Sequence, residues 1–246
     1  MWRVMLVSHR HRFIYLKTRK SASSSVELAF EHCARPVGWK QPEDNAFATE
    51  EMVSDAGIVG ARGLKAKQTA EFTDHIRGIR VKKLIGREIW NSYFKFCTIR
   101  NPWEKTVSHF HFTHPNIRNA RERRIVRVFR EWLRNNDSRH GVDKGIYWID
   151  GKPVMDYYIR HHNIVEDVTT VADHLGVKLD PLGEVFGQFR KSGLSYTEYY
   201  DDQARSLVAN FYEDEIKWFG WSFENDQEIE LPPLEKRSMI ETAEQS

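Results

Sequence analysis

Cysteine is scarce in this sequence of 246 residues. Cys33 and Cys97 are the two that occur, and neither lies in a CxxC or Cys/His spacing typical of a zinc site. Two thiols cannot supply the disulfide framework of a small secreted domain, so we interpret them as core residues in a reducing compartment. The cysteine content therefore predicts a cytoplasmic protein.

Long hydrophobic runs are absent as well. The N-terminal apolar run is broken by Ser8, His9 and Arg10, and no stretch approaches the length of a membrane span. Hydrophobic residues still make up 40% of the chain, which suffices for one substantial core. We expect a single domain over residues 1–225 and an acidic, flexible tail over residues 226–246.

A large excess of positive charge is also missing. The net charge of +2 does not indicate a nucleic-acid-binding protein, so any anion site must come from a local cluster of residues. The arginine-rich segment 117–134 is one such cluster. The sequence does not decide whether these arginines contact an anionic glycan, a membrane surface or water alone.

Glycine is missing from the loop that most resembles a phosphate loop. Residues 15–30, YLKTRKSASSSVELAF, predict a strand, a loop and a helix, without the GK[ST] ending of a triphosphate-binding loop. The spacing of Ser24 and Glu27 predicts a capping box and a helix that begins near Val26. The preceding loop would offer main-chain N–H groups, hydroxyls and the positive end of the helix to a single phosphate. A plain strand-to-helix turn with a serine cap is the alternative.

A second candidate anion site lies at RNPWEKTVSHF, residues 100–110, directly after a predicted strand over residues 93–100. Asn101 and Pro102 predict the start of a helix. Asn101, Lys105 and Ser108 fall on one face of that helix, so Arg100 and Ser108 can converge on one anion. The open alternative is that Arg100 pairs with Glu104.

Strands that alternate with helices predict an α/β fold with a central, mostly parallel sheet covered on both faces. Ligands bind at the carboxyl ends of the strands in such folds, and both loops lie there. Further elements are a short strand at Gly57–Ala61, a hairpin over residues 147–163 around Asp150-Gly151, and helices over residues 75–89, 117–133, 164–175 and 202–218. Gly176 is predicted to end the helix over residues 164–175, and Gly220 the helix over residues 202–218. Residues 35–56 are expected to be irregular.

The two motifs together resemble those of sulfotransferases that use 3′-phosphoadenosine-5′-phosphosulfate (PAPS), most closely the carbohydrate sulfotransferase branch and its bacterial relatives. KTRKSASSSVE is similar to the 5′-phosphosulfate loop and RNPWEKTVS to the 3′-phosphate motif, outlined as RNPxxRxxS. The resemblance covers roughly residues 12–223 and implies a P-loop-like three-layer α/β/α fold. Ser23 stands where many members have glycine, and His162 stands where an acidic residue is common.

The resemblance also implies roles for individual residues. Lys20 would contact the 5′-phosphosulfate and stabilise the leaving phosphate, and Arg100 and Ser108 would hold the 3′-phosphate. His75 occupies the place of a histidine that we interpret as the base; a structural role at a helix start, with Glu27 as the base if it leaves its capping role, is the alternative. The other predicted cofactor-binding residues are Lys17, Ser21, Ala22, Ser23, Ser24, Ser25, Arg190 and Lys191. Arg190 and Lys191 form a basic loop that either contacts the ligand or is a solvated turn.

The expected reaction is in-line transfer of the sulfuryl group from PAPS to an acceptor hydroxyl on a carbohydrate or glycoconjugate. The nucleotide product is adenosine 3′,5′-bisphosphate (PAP), and the family needs no metal. Two other functions stay open: a P-loop-type phosphotransferase, and a non-catalytic module that binds anions or nucleic acid. The partners we expect are the nucleotide and the acceptor, without nucleic acid and without a transmembrane segment.

Overall fold

The computed structural model describes residues 5–40, 50–61, 69–73, 75–117, 119–135, 142–179, 182 and 193–224. Its strands are β1 (Leu6–Ser8), β2 (Phe13–Leu16), β3 (Met52–Ser54), β4 (Gly57–Val59), β5 (Phe94–Ile99), β6 (Trp148–Ile149), β7 (Lys152–Pro153) and β8 (Tyr157–Arg160). Its α-helices are α1 (Ser23–Glu31), α2 (Gly78–Ile85), α3 (Arg87–Ser92), α4 (Pro102–Thr113), α5 (Glu122–Arg134), α6 (Lys144–Tyr147), α7 (Ile164–Leu175), α8 (Asp202–Phe211) and α9 (Glu213–Phe219).

Among the described residues, six strands form the central sheet, in the order β3-β4-β1-β2-β5-β8. The pairs β2/β5 and β5/β8 are parallel, and the pairs from β3 to β2 are antiparallel. The α/β fold is thus confirmed, with a mixed sheet whose parallel part carries both predicted loops. Because β2 and β5 are parallel neighbours, their carboxyl ends lie side by side at one edge.

Helices cover both faces of the sheet, as predicted. Side chains alternate between the two faces along each strand. Ile14 and Leu16 of β2 pack with α4 and α5 on one face, whereas Phe13 and Tyr15 pack with α1 and α7 on the other. This three-layer arrangement leaves the strand ends as the place where the loops reach the surface.

Several local predictions are confirmed at the ends of elements. The Asn101 side chain accepts hydrogen bonds from the main-chain N–H groups of Trp103 and Glu104, and Pro102 is the first residue of α4. Gly176 ends α7 and Gly220 ends α9, each in the left-handed conformation. Asp150 and Gly151 both have positive φ in the β6/β7 turn, as the hairpin required, but the hairpin ends at Pro153 because β8 pairs with β5 in the central sheet.

Other local predictions were wrong. Helix α1 begins at Ser23 after a left-handed Ala22, and the Ser24/Glu27 capping box does not form. Gly86 separates α2 from α3, Tyr212 separates α8 from α9, and α5 begins at Glu122. The predicted irregular segment contains β3, which pairs with β4.

The predicted tail and the basic pair Arg190 and Lys191 lie outside the described residues. Within the part of the chain that the structure describes, no helix combines the length and the apolar character that crossing a membrane requires.

Candidate functional site

The two candidate anion sites meet at the carboxyl ends of β2 and β5. Leu16 at the end of β2 is in register with Cys97, two residues before the end of β5. The loop that follows β2 therefore lies beside Arg100, which follows β5. One guanidinium nitrogen of Arg100, Nη1, donates to the main-chain carbonyl of Lys20 at 3.0 Å. Residues that are 80 positions apart thus form one continuous surface.

The loop after β2 takes its shape from two left-handed residues. Lys20 has φ 56° and Ala22 has φ 57°, a region that costs a residue other than glycine about 1–3 kcal/mol. Inward hydrogen bonds hold the loop in this shape. The Ser23 hydroxyl donates to the Thr18 carbonyl at 2.6 Å, and the Tyr15 hydroxyl donates to the Ser23 carbonyl at 2.9 Å. The loop therefore makes its turn without glycine.

Three buried hydroxyl groups join the loop to β5. The Ser21 oxygen lies 2.6 Å from that of Thr18 and 2.8 Å from that of Thr98, and the two threonine oxygens are 2.9 Å apart. All three residues are buried. The Ser21 and Ser23 hydroxyls are thus engaged inside the protein.

Lys17 and Glu27 form an ion pair beneath the loop. The Lys17 ammonium lies 2.6 Å from Glu27 Oε2, and the side chains are 3% and 1% exposed. A buried lysine needs a counter-charge, which explains why Glu27 is not available for the predicted capping role. Lys17 is thus engaged in a buried ion pair, and its contact with the nucleotide stays a prediction.

The loop residues that reach the surface include Lys20, Ala22, Ser24 and Ser25. Ala22 is exposed, and the other three are half-buried. Ser24 and Ser25 lie in the first turn of α1, where main-chain N–H groups lack acceptors within the helix. The Lys20 ammonium lies 4.2 Å from the centre of the Phe112 ring, so its charge is placed over α4. The surface-facing part of the loop is therefore cationic and rich in hydrogen-bond donors.

Arg100 is held at both ends of its guanidinium group. Nη2 donates to Glu104 Oε1 at 2.6 Å, so the ion pair left open by the sequence does form. Its Nε is buried without a hydrogen-bond partner among the residues described. Ser108 is half-buried two turns further along α4, whereas Asn101 caps that helix and donates to the Ser222 carbonyl. Of the predicted helix face, Ser108 is the member that stays partly accessible.

Sequence reasoning missed a buried carboxylate, Asp143, that holds this site together. Its Oδ2 accepts from the main-chain N–H of Arg19 and from the Lys105 ammonium, each at 2.6 Å, and its Oδ1 accepts from Arg19 Nη1 at 2.8 Å. Burial alone would raise the pKa of Asp143, but the charges of Lys105 and Arg19 outweigh it and lower that pKa below its usual value. No local pattern around residue 143 indicates this role.

His75 lies beside the loop with a defined ring orientation. Its Nδ1 lies 3.0 Å from the Lys17 carbonyl. A carbonyl only accepts, so we assign the proton to Nδ1, which leaves Nε2 as the basic nitrogen. Burial lowers the pKa of His75 to about 3, with Asp143 opposing and Arg19 adding to the shift. His75 is therefore neutral at physiological pH.

Two further histidines near the site are also neutral. Burial lowers the pKa of His109 to about 4, and the charges of Lys20, Lys105 and Arg19 add to the effect. Burial likewise lowers the pKa of His161 to about 4, with Arg100 adding to the shift and Glu104 opposing it. The described residues contain no group of three histidine, cysteine or acidic side chains placed to hold a metal ion.

Fold and site together define an α/β protein that presents two adjoining cationic loops at the ends of neighbouring parallel strands, an arrangement suited to a phosphorylated ligand. A sequence model of the Sulfotransferase family matches residues 3–173, and the chain belongs to that family. The match includes both loops, His75 and Asp143. Searches of curated proteins and of solved structures gave no match.

Proposed function

We propose that this sulfotransferase uses PAPS as its donor and transfers the sulfuryl group to an acceptor hydroxyl. The observation that supports the proposal is the contact of Arg100 Nη1 with the Lys20 carbonyl, because it joins the two candidate anion-binding loops into one surface. A nucleotide with separate 3′ and 5′ phosphate groups needs two adjacent anion sites. A linear triphosphate would instead favour the glycine-rich loop that this chain lacks.

The loop after β2 would receive the 5′-phosphosulfate. Main-chain N–H groups of the loop and of the first turn of α1 would surround the phosphate, with hydroxyls from Ser24 and Ser25. Lys20 would stabilise the negative charge that develops on the bridging oxygen as the bond to sulfur breaks. Arg100 and Ser108 would hold the 3′-phosphate, with Arg100 exchanging part of its contact with Glu104 for the phosphate.

His75 is the candidate base. As the acceptor oxygen bonds to sulfur, its proton would move to Nε2 of His75, and the leaving 5′-phosphate would depart with the electron pair of the broken bond. A pKa of about 3 makes His75 a weak base in the free protein. The negative charges of bound PAPS would raise that pKa and so improve the base in the complex that reacts.

The acceptor is proposed to be a carbohydrate or glycoconjugate. This part rests on the resemblance of the two motifs to the carbohydrate sulfotransferase branch.

A cytoplasmic location is also proposed, and it rests on the cysteine content of the sequence.

Differential stabilisation by two nucleotides tests the proposal. We expect PAP to raise the melting temperature far more than AMP at equal concentration, because AMP lacks the 3′-phosphate. Transfer of labelled sulfate from PAPS to a panel of glycans, lipids and small alcohols would then identify the acceptor. Equal stabilisation by PAP and AMP would exclude the split phosphate site.

A further inference from the structure

Asp143 and Arg100 each form a hydrogen bond with the main chain of the loop after β2. Asp143 accepts the main-chain N–H of Arg19, and Arg100 donates to the main-chain carbonyl of Lys20. The two hydrogen bonds thus bracket residues 19 and 20. Lys20 lies between them with φ 56°, a conformation that is unfavourable for lysine.

The bracket is rigid because Asp143 is itself fixed. The residue is 1% exposed, and its main-chain carbonyl accepts from Ile146 in the first turn of α6. Its carboxylate accepts a hydrogen bond from the ammonium group of Lys105, a residue of α4 that is 4% exposed. The carboxylate thus connects the loop after β2 with the helix that follows β5.

We infer that Asp143 is a positioning residue that holds Lys20 in its left-handed conformation. The inference rests on the proposed function, because Asp143 would act by positioning Lys20, the residue proposed to contact the 5′-phosphosulfate. Without the carboxylate, the N–H of Arg19 loses its acceptor and residues 19 and 20 are free to relax. The Lys20 side chain would then no longer be held where it can contact the 5′-phosphosulfate.

A double-mutant cycle on PAP binding tests the inference. We expect Lys20→Ala and Asp143→Ala each to raise the dissociation constant of PAP about tenfold, the loss of one charge-assisted contact. If Asp143 acts through Lys20, the double variant should bind about as weakly as the weaker single variant. Independent effects would multiply to about a hundredfold, and that result would overturn the inference.

The conservative variant Asp143→Asn gives a second readout. Its amide oxygen can still accept the N–H of Arg19, so we expect it to restore a large part of the PAP affinity lost in Asp143→Ala. A role confined to balancing charge predicts no such rescue, because both variants remove the carboxylate charge. Absence of rescue would therefore contradict the positioning role.

Glu31→Gln is the matched control. Glu31 is buried and accepts from Arg35 Nε at 2.7 Å, at the opposite end of α1 from the loop. This variant also breaks a buried ion pair, yet we expect its PAP dissociation constant to equal that of the wild type. Equal weakening in Glu31→Gln and Asp143→Ala would show a general loss of stability and would overturn the inference.

Folding of the variants is checked by thermal unfolding. If Asp143→Ala does not fold, the pair Lys105→Met/Asp143→Leu takes its place as one arm of the cycle, because it replaces the buried ion pair with apolar side chains. Failure of the wild type to prefer PAP over AMP would refute the proposed function and the inference with it. A wild type that prefers PAP, combined with independent effects in the cycle, would refute the inference alone.

Discussion

Arg100 and Glu104 form an ion pair of 2.6 Å across one turn at the start of α4, at the place proposed for the 3′-phosphate. The side chains of Arg100 and Glu104 are 13% and 18% exposed, so the pair is largely shielded from water. Glu104 keeps Arg100 beside the Lys20 carbonyl, where a phosphate oxygen can replace a carboxylate oxygen with little movement of the arginine.

The first prediction concerns Arg100→Ala. Loss of the guanidinium group should weaken PAP binding about tenfold to a hundredfold and AMP binding much less, because AMP has no 3′-phosphate and is affected only through the lost contact with the Lys20 carbonyl. Titration calorimetry with both nucleotides measures the two constants. Arg100→Lys is the matched control, since it keeps the charge but loses the two-pronged contact, and it should fall between the two proteins. Discrimination that survives Arg100→Ala would place the 3′-phosphate elsewhere.

The second prediction concerns His75→Asn. Asparagine tolerates the left-handed conformation found at residue 75, where φ is 46°, so the backbone should keep its course. We expect turnover with PAPS to fall about 10²–10⁴-fold, because the acceptor proton loses its base, while PAP affinity changes less than about threefold. Steady-state kinetics and calorimetry measure the two effects. His162→Asn, at a half-buried position on the turn after β8, should leave turnover unchanged. Full activity of His75→Asn would move the base to another residue.

The third prediction is a loss of stability in mild acid. His109 and His161 have a folded-state pKa of about 4, against 6.5 for a free histidine. Above 6.5 both groups are neutral in the folded and the unfolded chain, and their full contribution to stability is present. As the pH falls towards about 4, the unfolded chain takes up protons that the folded chain does not. The free energy of unfolding should then fall by up to about 1.4 kcal/mol per pH unit for each histidine.

Urea unfolding between about pH 7 and about pH 5 measures this slope. His161→Gln cannot be protonated, so the variant should lose less stability over the same interval than the wild type does. An identical slope in both proteins would show that His161 does not contribute.

The fourth prediction separates structure from binding at Lys17. Lys17→Met leaves Glu27 buried without its cation and should cost about 3–5 kcal/mol of unfolding free energy. Lys17→Met/Glu27→Gln removes both charges and should recover most of that loss. Because the pair lies beneath the loop, the double variant should bind PAP within about threefold of the wild type. A stable double variant that binds PAP much more weakly would make Lys17 a ligand, as the sequence predicted.

Local signals gave the correct prediction where the interaction itself is local. Asn101 caps α4 through two N–H groups within three residues of it, and Gly176 ends α7 through its own left-handed backbone. The positions of the two loops followed from a general property of parallel strands, because β2 and β5 needed only to be neighbours.

Glu27 and Asp143 show why the rest could not be predicted. Glu27 has the spacing of a capping residue, but its role is decided by burial beside Lys17, which no pattern of residue types reveals. Asp143 is 124 residues from Arg19 and 38 from Lys105 in the sequence. Its contacts exist only after three elements have packed, and no motif surrounds it.

The hydrogen bond between Arg100 and Lys20 also has a consequence for the order of folding. The serine-rich loop lies within the first 25 residues, but its partners Thr98 and Arg100 arrive only when β5 pairs with β2. Contacts so distant in sequence form slowly, because a long stretch of chain must first be closed. During synthesis, the emerging loop therefore has the residues of the proposed phosphate site well before it has the shape of that site.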